Sequence, residues 1–243
     1  PLHRLLGGFR DRLPTYASDG LWYSLSPGEL AASAKRHVDG GFSAVKLRLG
    51  REATPELEVR RVQAVREAVG PDVRIMVDIN ETWSLTRARH SGRVLQDSGI
   101  AWLEDPVHHL DVAGLAELRR QLEVPIAAGE HLYHLDAFRT LLEARAVDVV
   151  ILDLARVGGV TPWRKIAATA HAHRIPVCGH VVPEIQVHLL ASIPNGHLVE
   201  YVPRSAGILT SMPRIEHGEL VAPSAPGLGL ELDEAAVRRH RVA

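Results

Sequence analysis

The feature that most constrains this chain is a repeating alternation of short β-rich runs with helix-length amphipathic stretches, carried through most of its 243 residues. Strand-like runs fall at 13–18, 45–49, 74–79, 101–104, 126–128, 149–154, 176–179 and 198–202. Helix-like stretches lie between them at 27–39, 55–69, 85–97, 112–122, 137–144, 162–173 and 183–191. Proline in a first turn followed by glycine near the end, as in Pro27 to Gly40 and Pro55 to Gly70, marks helix starts and stops. Proline lacks an N–H that the first turn cannot use, and glycine accepts the backbone twist that ends a helix. Eight strands separated by seven helices predict an α/β fold, a TIM-type (β/α)7β barrel. The competing open, doubly wound sheet usually binds a ligand through an early glycine-rich turn, and no G-x-G-x-x-G follows the first strands. After about residue 203 the alternation stops: Pro213, Pro223, Pro226, Gly227 and Gly229 punctuate the tail, which keeps one short helix near 234–239. The predicted organisation is a linker at 1–12, a barrel at 13–202 and a C-terminal appendage at 203–243, packed outside the barrel.

From the third strand onward each run ends in, or just before, an ionisable residue: Asp78, Glu104, Glu130, Asp153, His180 and Glu200. The second run carries Lys46 and Arg48. Parallel strands of a barrel all open on one face, so these residues are expected to converge there. Any one of them alone is ordinarily a solvated loop charge; the recurrence on successive strands is what argues for a site. Asp78, Glu104 and Glu130 offer three hard oxygen ligands, which suit Mg²⁺, with Mn²⁺ as the alternative. Held together without a cation they would repel and raise one another's pKa values. Zinc is disfavoured, because the trio contains no His and the only cysteine, Cys178, lies elsewhere. Asp153 and His180 fall on adjacent strands, where a carboxylate on one ring nitrogen makes the other a better base. Lys46 and Arg48, two residues apart, share one face of their strand and are suited to grip a substrate carboxylate.

Composition bounds the setting. A formal net charge of −1 gives no electrostatic footprint for nucleic acid or an anionic membrane. A single cysteine permits no disulfide framework, which fits a reducing cytoplasm. No apolar run approaches the roughly 18 residues of a membrane span. The opening Pro1-Leu2-His3-Arg4-Leu5-Leu6-Gly7-Gly8 reads as the continuation of a preceding segment.

Several runs resemble the mandelate racemase-type members of the enolase superfamily: Ala44-Val45-Lys46-Leu47-Arg48, Val77-Asp78-Ile79-Asn80, Trp102-Leu103-Glu104-Asp105-Pro106 and Ala128-Gly129-Glu130. Asp153-Leu154-Ala155-Arg156-Val157-Gly158-Gly159-Val160-Thr161, the segment from Gly179-His180 to Glu200-Tyr201, and Pro226-Gly227-Leu228-Gly229 extend the resemblance over essentially the whole chain. The resemblance implies that Asp78, Glu104 and Glu130 bind the metal, that Lys46 contacts the substrate carboxylate, and that Asp153 and His180 transfer protons. It further implies that Glu200 donates to the forming enediolate, that Asn80 lines the substrate site, and that the protein is a homo-oligomer acting on a small carboxylate. Family members carry an N-terminal α+β capping domain, and this sequence reads as the barrel portion without it, with a tail that would pack on such a domain. Racemases of this branch carry K-x-K on the second strand, where this chain has Lys46-x-Arg48.

That departure bears on the reaction. A buried Lys can be tuned to about 7–8. An Arg starts near 12.5–13.8, so deprotonating it at working pH costs about 7–8 kcal/mol. Arg48 is a poor base, which leaves His180 as the one clear proton-transfer residue. A single His can remove an α-proton and then protonate a departing β-hydroxyl on the same face, so dehydration of an acid sugar to a 2-keto-3-deoxy acid is the favoured reading. A racemase or epimerase of a 2-hydroxy acid is the alternative, and a non-catalytic barrel is the alternative of another class.

Four other features are weaker. Arg156-Val157-Gly158-Gly159 is read as a tight turn rather than a phosphate loop, and His171 and His173 as solvated. Glu184 and His188 are read as a structural pair on one helix face, and His108-His109, a few residues past Glu104, as loop residues, with a reach to the barrel mouth as the weaker alternative.

Overall fold

The computed structural model describes residues 1–241. Eight strands run parallel, each beside its sequence neighbour: β1 (Arg12–Ala17), β2 (Ala44–Arg48), β3 (Arg74–Asp78), β4 (Leu103–Glu104), β5 (Ile126–Ala128), β6 (Val149–Asp153), β7 (Val177–His180) and β8 (Gly196–Tyr201). β1 pairs with β8 through Thr15↔Val199 and with β2 through Ala17↔Val45, which closes the ring. Seven helices fill the crossovers: α2 (Pro27–Asp39), α3 (Pro55–Val69), α4 (Leu85–Gln96), α5 (Val112–Gln121), α6 (Leu135–Glu143), α7 (Val160–Ala172) and α8 (Pro183–Leu190). The barrel and its (β/α)7β order are those the sequence predicts. No helix among the described residues is long and apolar enough to cross a membrane.

Local chemistry sets the boundaries. Ser26 caps α2 in a reciprocal box with Glu29 and Pro27 follows at the first turn, so the start agrees with the sequence reading. α7 begins two residues before the expected Pro162, because proline is tolerated anywhere in a first turn, where N–H groups have no intrahelical acceptor. α6 likewise starts early, at Leu135.

The tail needs a larger correction. Rather than a single helix in irregular chain, residues 203–241 contain β9 (Ile215–Glu216) and β10 (Glu219–Val221), joined by a tight turn at His217 and Gly218, both with positive φ. β10 pairs antiparallel with β1, Arg12 opposite Val221, and the final helix α9 (Glu234–His240) follows. At the other end of the chain a short helix α1 (Leu2–Leu5) carries His3 onto α8, where its ring stacks on His188 at 5.3 Å.

The core has two parts, as the strand pleat requires. Outward residues such as Val45, Leu47, Ile75, Val77 and Val150 pack with the helices. Inward residues, namely Tyr16, Ala44, Met76, Trp102, Ala127, Val149, Ile151, Cys178 and Leu198, form a separate apolar plug inside the ring. Everything placed above that plug sits on buried, largely apolar support.

Candidate active site

The pleat lifts charge onto the plug. Two residues beyond Ala44 the inward side chain is Lys46, then Arg48; beyond Met76 it is Asp78; beyond Trp102, Glu104; beyond Ile151, Asp153; beyond Cys178, His180; beyond Leu198, Glu200. Glu130 arrives differently. It follows Gly129, whose φ of +133° turns the chain at the end of β5, and a Cβ there would meet the Ile151 carbonyl oxygen at 2.7 Å. Only glycine fits, and the turn aims Glu130 inward.

Asp78, Glu104 and Glu130 each offer a carboxylate oxygen within 4.8 Å of the others, and all three are buried. Glu104 is fixed from both sides, by Lys46 Nζ at 2.6 Å and by Trp102 Nε1 donating at 2.9 Å. Asp78 Oδ2 and Glu130 Oε2 are buried and accept no hydrogen bond, although Arg48 Nη2 lies 2.9 Å from the first and His180 Nε2 3.3 Å from the second. Three hard oxygens with two of these atoms unsatisfied fit a Mg²⁺-sized cation. Burial, with repulsion from the neighbouring carboxylates, pushes Asp78 up and Glu104 well above the usual carboxylate range. Glu130 goes the other way. Burial would raise it, but His180 and Lys46 outweigh that and hold it low, so mutual repulsion does not raise all three.

Lys46 is 2% exposed and lies 2.6, 2.9 and 3.6 Å from Glu104, Glu200 and Asp78. Burial alone would lower its pKa; the surrounding carboxylates reverse the direction and hold it well above the ordinary value. Arg48 lies beside the Trp22 ring as well as Asp78, and Asp78 keeps its guanidinium fully charged against the effect of burial. His180 Nδ1 is 2.6 Å from Asp153 Oδ2, while the opposite nitrogen faces Glu130 and, at 3.9 Å, Glu200. Burial pushes His180 down, yet the hydrogen bond to Asp153 and the charges of Glu130 and Glu200 raise it overall. Asp153 also accepts the Arg156 backbone N–H at 2.8 Å. Glu200 is held at about 2, since Lys46 and His180 outweigh burial, and it accepts the Val181 N–H at 2.9 Å. It therefore stands in this structure as an ionised acceptor, whereas the resemblance gives it a donor's role. Asn80 sits past Asp78 with φ +47°, its N–H donating to Asp78 Oδ1 at 2.8 Å and its side chain turned to Glu130.

All nine residues singled out from the sequence thus meet at one mouth. Residues 29–236 match the family model described as enolase C-terminal domain-like. The chain belongs to the enolase superfamily. It is 34% identical over 234 residues, 96% of its own length, to a 3,6-anhydro-α-L-galactonate cycloisomerase of Streptomyces coelicolor, and covers 64% of that protein. It is 31% identical to an L-talarate/galactarate dehydratase of Salmonella typhimurium over 98% of its length and 60% of the relative's. Among solved structures, an L-talarate dehydratase from Polaromonas sp. JS666 complexed with Mg and L-glucarate superposes with a TM-score of 0.93 at 32% identity, over 99% of this chain and 67% of that one. The chain therefore spans about 60–65% of the length of these curated relatives.

Around this mouth lie residues that the sequence reading did not single out for the chemistry. Asp105 follows Glu104 with φ +40°; it is 1% exposed, and burial together with Glu130 and Glu104 pushes it well above the carboxylate range. His131 contacts Asp105, Glu130 and Asn80. Arg156, read as part of a turn, does lie in one, with Gly158 and Gly159 at φ +90° and +103°, but its side chain reaches back to the Glu130 carbonyl oxygen at 2.6 Å. Val181 and Val182 adopt φ of +45° and +40°, strained for β-branched residues, directly after His180. The adjacency of Asp105 and His131 to two metal-ligand candidates was the only signal in the sequence.

The weaker features sort cleanly. His171 and His173 are exposed on and just past α7. His109 stands near the mouth, bonded to Glu81 Oε1 at 2.8 Å and stacked 5.6 Å from His131. Glu184 and His188 are not a pair: Glu184 accepts from Ser205, while His188 Nε2 donates to the Leu228 carbonyl at 2.9 Å. Both partners belong to the tail, whose path one helix face does not reveal.

Proposed function

We propose that this site removes the α-proton of a carboxylate substrate and completes the dehydration of an acid sugar to a 2-keto-3-deoxy acid. The observation that carries this reading is the orientation of His180. With Asp153 accepting from Nδ1, the neutral ring keeps its free lone pair on Nε2, the nitrogen that faces Glu130 of the carboxylate trio. Asp78, Glu104 and Glu130 would hold Mg²⁺, which supplies Lewis-acid stabilisation of the negative charge that develops on the substrate carboxylate.

The chain's own residues do the rest. Lys46 and Arg48 present permanent positive charge on the side of the mouth where an enediolate would form, and Asn80 lines it. His180 Nε2 takes the α-proton as the C–H bond breaks. As imidazolium it returns that proton to the β-hydroxyl, the C–O bond breaks, water leaves, and the enol becomes the ketone. One base on one face is enough. An epimerase needs a second base on the opposite face; Lys46 is clasped by Glu104 and Glu200, and Arg48 is a guanidinium bound to Asp78. Similarity to dehydratases of sugar diacids supports the same choice of substrate class.

The test is to incubate a panel of aldonic and aldaric acids with the protein and Mg²⁺ in D₂O, following proton NMR. A 2-keto-3-deoxy product without accumulation of the α-epimer is expected. Conversion of a 2-hydroxy acid into its epimer with no loss of water would overturn the dehydratase reading.

A further inference from the structure

Beside the candidate metal ligands lies a second cluster, Asp105, Glu130 and His131, whose ligand atoms also fall within 4.8 Å of one another. Asp105 Oδ2 is buried there without a hydrogen-bond partner. By distance alone this is room for another cation. Arg156 decides otherwise. Its Nη1 lies 2.6 Å from the Glu130 carbonyl oxygen and 3.0 Å from His131 Nδ1. A guanidinium only donates, so Nδ1 must accept, and the neutral ring then carries its proton on Nε2. Nε2 lies 3.4 Å from Glu130 Oε1 and 3.6 Å from Asp105 Oδ2. A protonated nitrogen cannot ligate a metal; it presents a positive N–H end to the two carboxylates. The Asn80 amide nitrogen lies 3.4 Å from the same Oε1 and 3.3 Å from Nε2; with Nδ1 taken by the shorter Arg156 contact, Nε2 has no lone pair to accept it, so Asn80 donates to Oε1. Glu130 Oε1 thereby accepts from Asn80 and faces the His131 N–H, and Oε2, buried and without a hydrogen bond, is the one left for a cation. Through its own N–H, Arg156 also fixes Asp153 Oδ1 at 2.8 Å, the partner of His180.

We propose that Arg156 and His131 are positioning residues that orient Glu130 as a one-oxygen metal ligand and tie it to the Asp153–His180 dyad, so that the cluster with Asp105 holds no second cation. This rests on the metal-site reading of Asp78, Glu104 and Glu130. Outer partners of this kind typically contribute about 10–100-fold in metal affinity.

The test is Mn²⁺ titration of the 243-residue chain followed by electron paramagnetic resonance, with ¹⁵N-histidine NMR as an independent arm. One Mn²⁺ per chain is expected, with His131 protonated on Nε2. His131→Leu should weaken Mn²⁺ about 10–100-fold. His131→Gln, whose amide nitrogen can replace the Nε2 donor, should recover most of that loss. Arg156→Met should weaken Mn²⁺ in the same direction and shift the His131 ring away from a single tautomer. Two Mn²⁺ per wild-type chain, a His131 proton on Nδ1, or unchanged affinity in His131→Leu would each overturn the inference while leaving the three-carboxylate site standing. Absence of any Mn²⁺ binding by the wild-type chain would overturn both. Circular dichroism separates these outcomes from misfolding, and the Gln variant and the tautomer reading do not depend on the Leu variant folding.

Discussion

The interior of this barrel is built in two storeys from the same strands. The lower one is an apolar plug of Tyr16, Met76, Trp102, Ile151, Cys178 and Leu198. The upper one, a single pleat period further along, holds Lys46, Asp78, Glu104, Asp153, His180 and Glu200, most of them as buried as the plug. Below, the Tyr16 and Trp102 rings meet edge to face at 5.6 Å within a cluster of almost wholly apolar side chains. Above, charges are buried at an energetic cost that only their mutual arrangement offsets. Burial itself is therefore not what distinguishes core from site. The lower storey is almost wholly apolar, with the Tyr16 hydroxyl buried there without a hydrogen bond, while the upper gathers charged carboxylates whose atoms Asp78 Oδ2 and Glu130 Oε2 lack one around a single point.

The sharpest way to separate the storeys is His180→Asn. Its amide can keep the contact with Asp153 but offers no base, so turnover of an acid-sugar substrate should fall by about 10²–10⁴-fold, with the melting temperature nearly unchanged. A large drop in stability would mean that His180 belongs structurally with the plug.

Lys46→Met should show in stability as well as in turnover. It leaves Glu104 and Glu200 buried without their cation, and breaking a buried charge network in this way typically costs about 3–5 kcal/mol. Chemical denaturation should show this loss, and saturating Mg²⁺ should shrink it if the carboxylates bind the ion. A loss that Mg²⁺ leaves untouched would break the metal-site reading.

Trp102 joins the storeys, its ring in the plug and its N–H on Glu104 Oε2. Trp102→Phe should cost about 1–3 kcal/mol, mainly through the unsatisfied carboxylate oxygen, which double-mutant analysis with Glu104→Gln can isolate.

The smallest effect lies away from the barrel interior, where α1 and the tail meet α8. Burial holds His188 below its ordinary pKa, against the opposing effect of the Leu228 carbonyl, and His3 is lowered by burial and by His188. The folded protein thus binds fewer protons than the unfolded chain. Stability is fully present above the unfolded value of about 6.5 and declines as pH falls below it. Melting temperatures measured from about pH 7.5 to 5 should fall less steeply in His188→Gln, which can keep a donor for Leu228. Equal slopes would show that this junction does not titrate with folding.

The sequence by itself determined the barrel, the alternation of inward and outward side chains, and the convergence of Lys46, Arg48, Asp78, Glu104, Asp153, His180 and Glu200. These follow from periods of 2 and 3.6 and from the rule that parallel strand ends share a face, all of which are local and repeating. Three things were decided only by tertiary structure. Glu130, which the sequence also placed at that face, is aimed into the site by a glycine turn fitted against the Ile151 carbonyl and not by strand alternation. The β9–β10 hairpin finds its partner in β1, some two hundred residues earlier, so its two short strands carry little signal of their own. Asp105, His131 and Arg156 acquire a role through contacts between the ends of successive strands and the turn that follows β6. A hydrogen bond depends on where two chain segments end in space, and strand periodicity fixes the direction of a side chain without fixing the neighbour it meets.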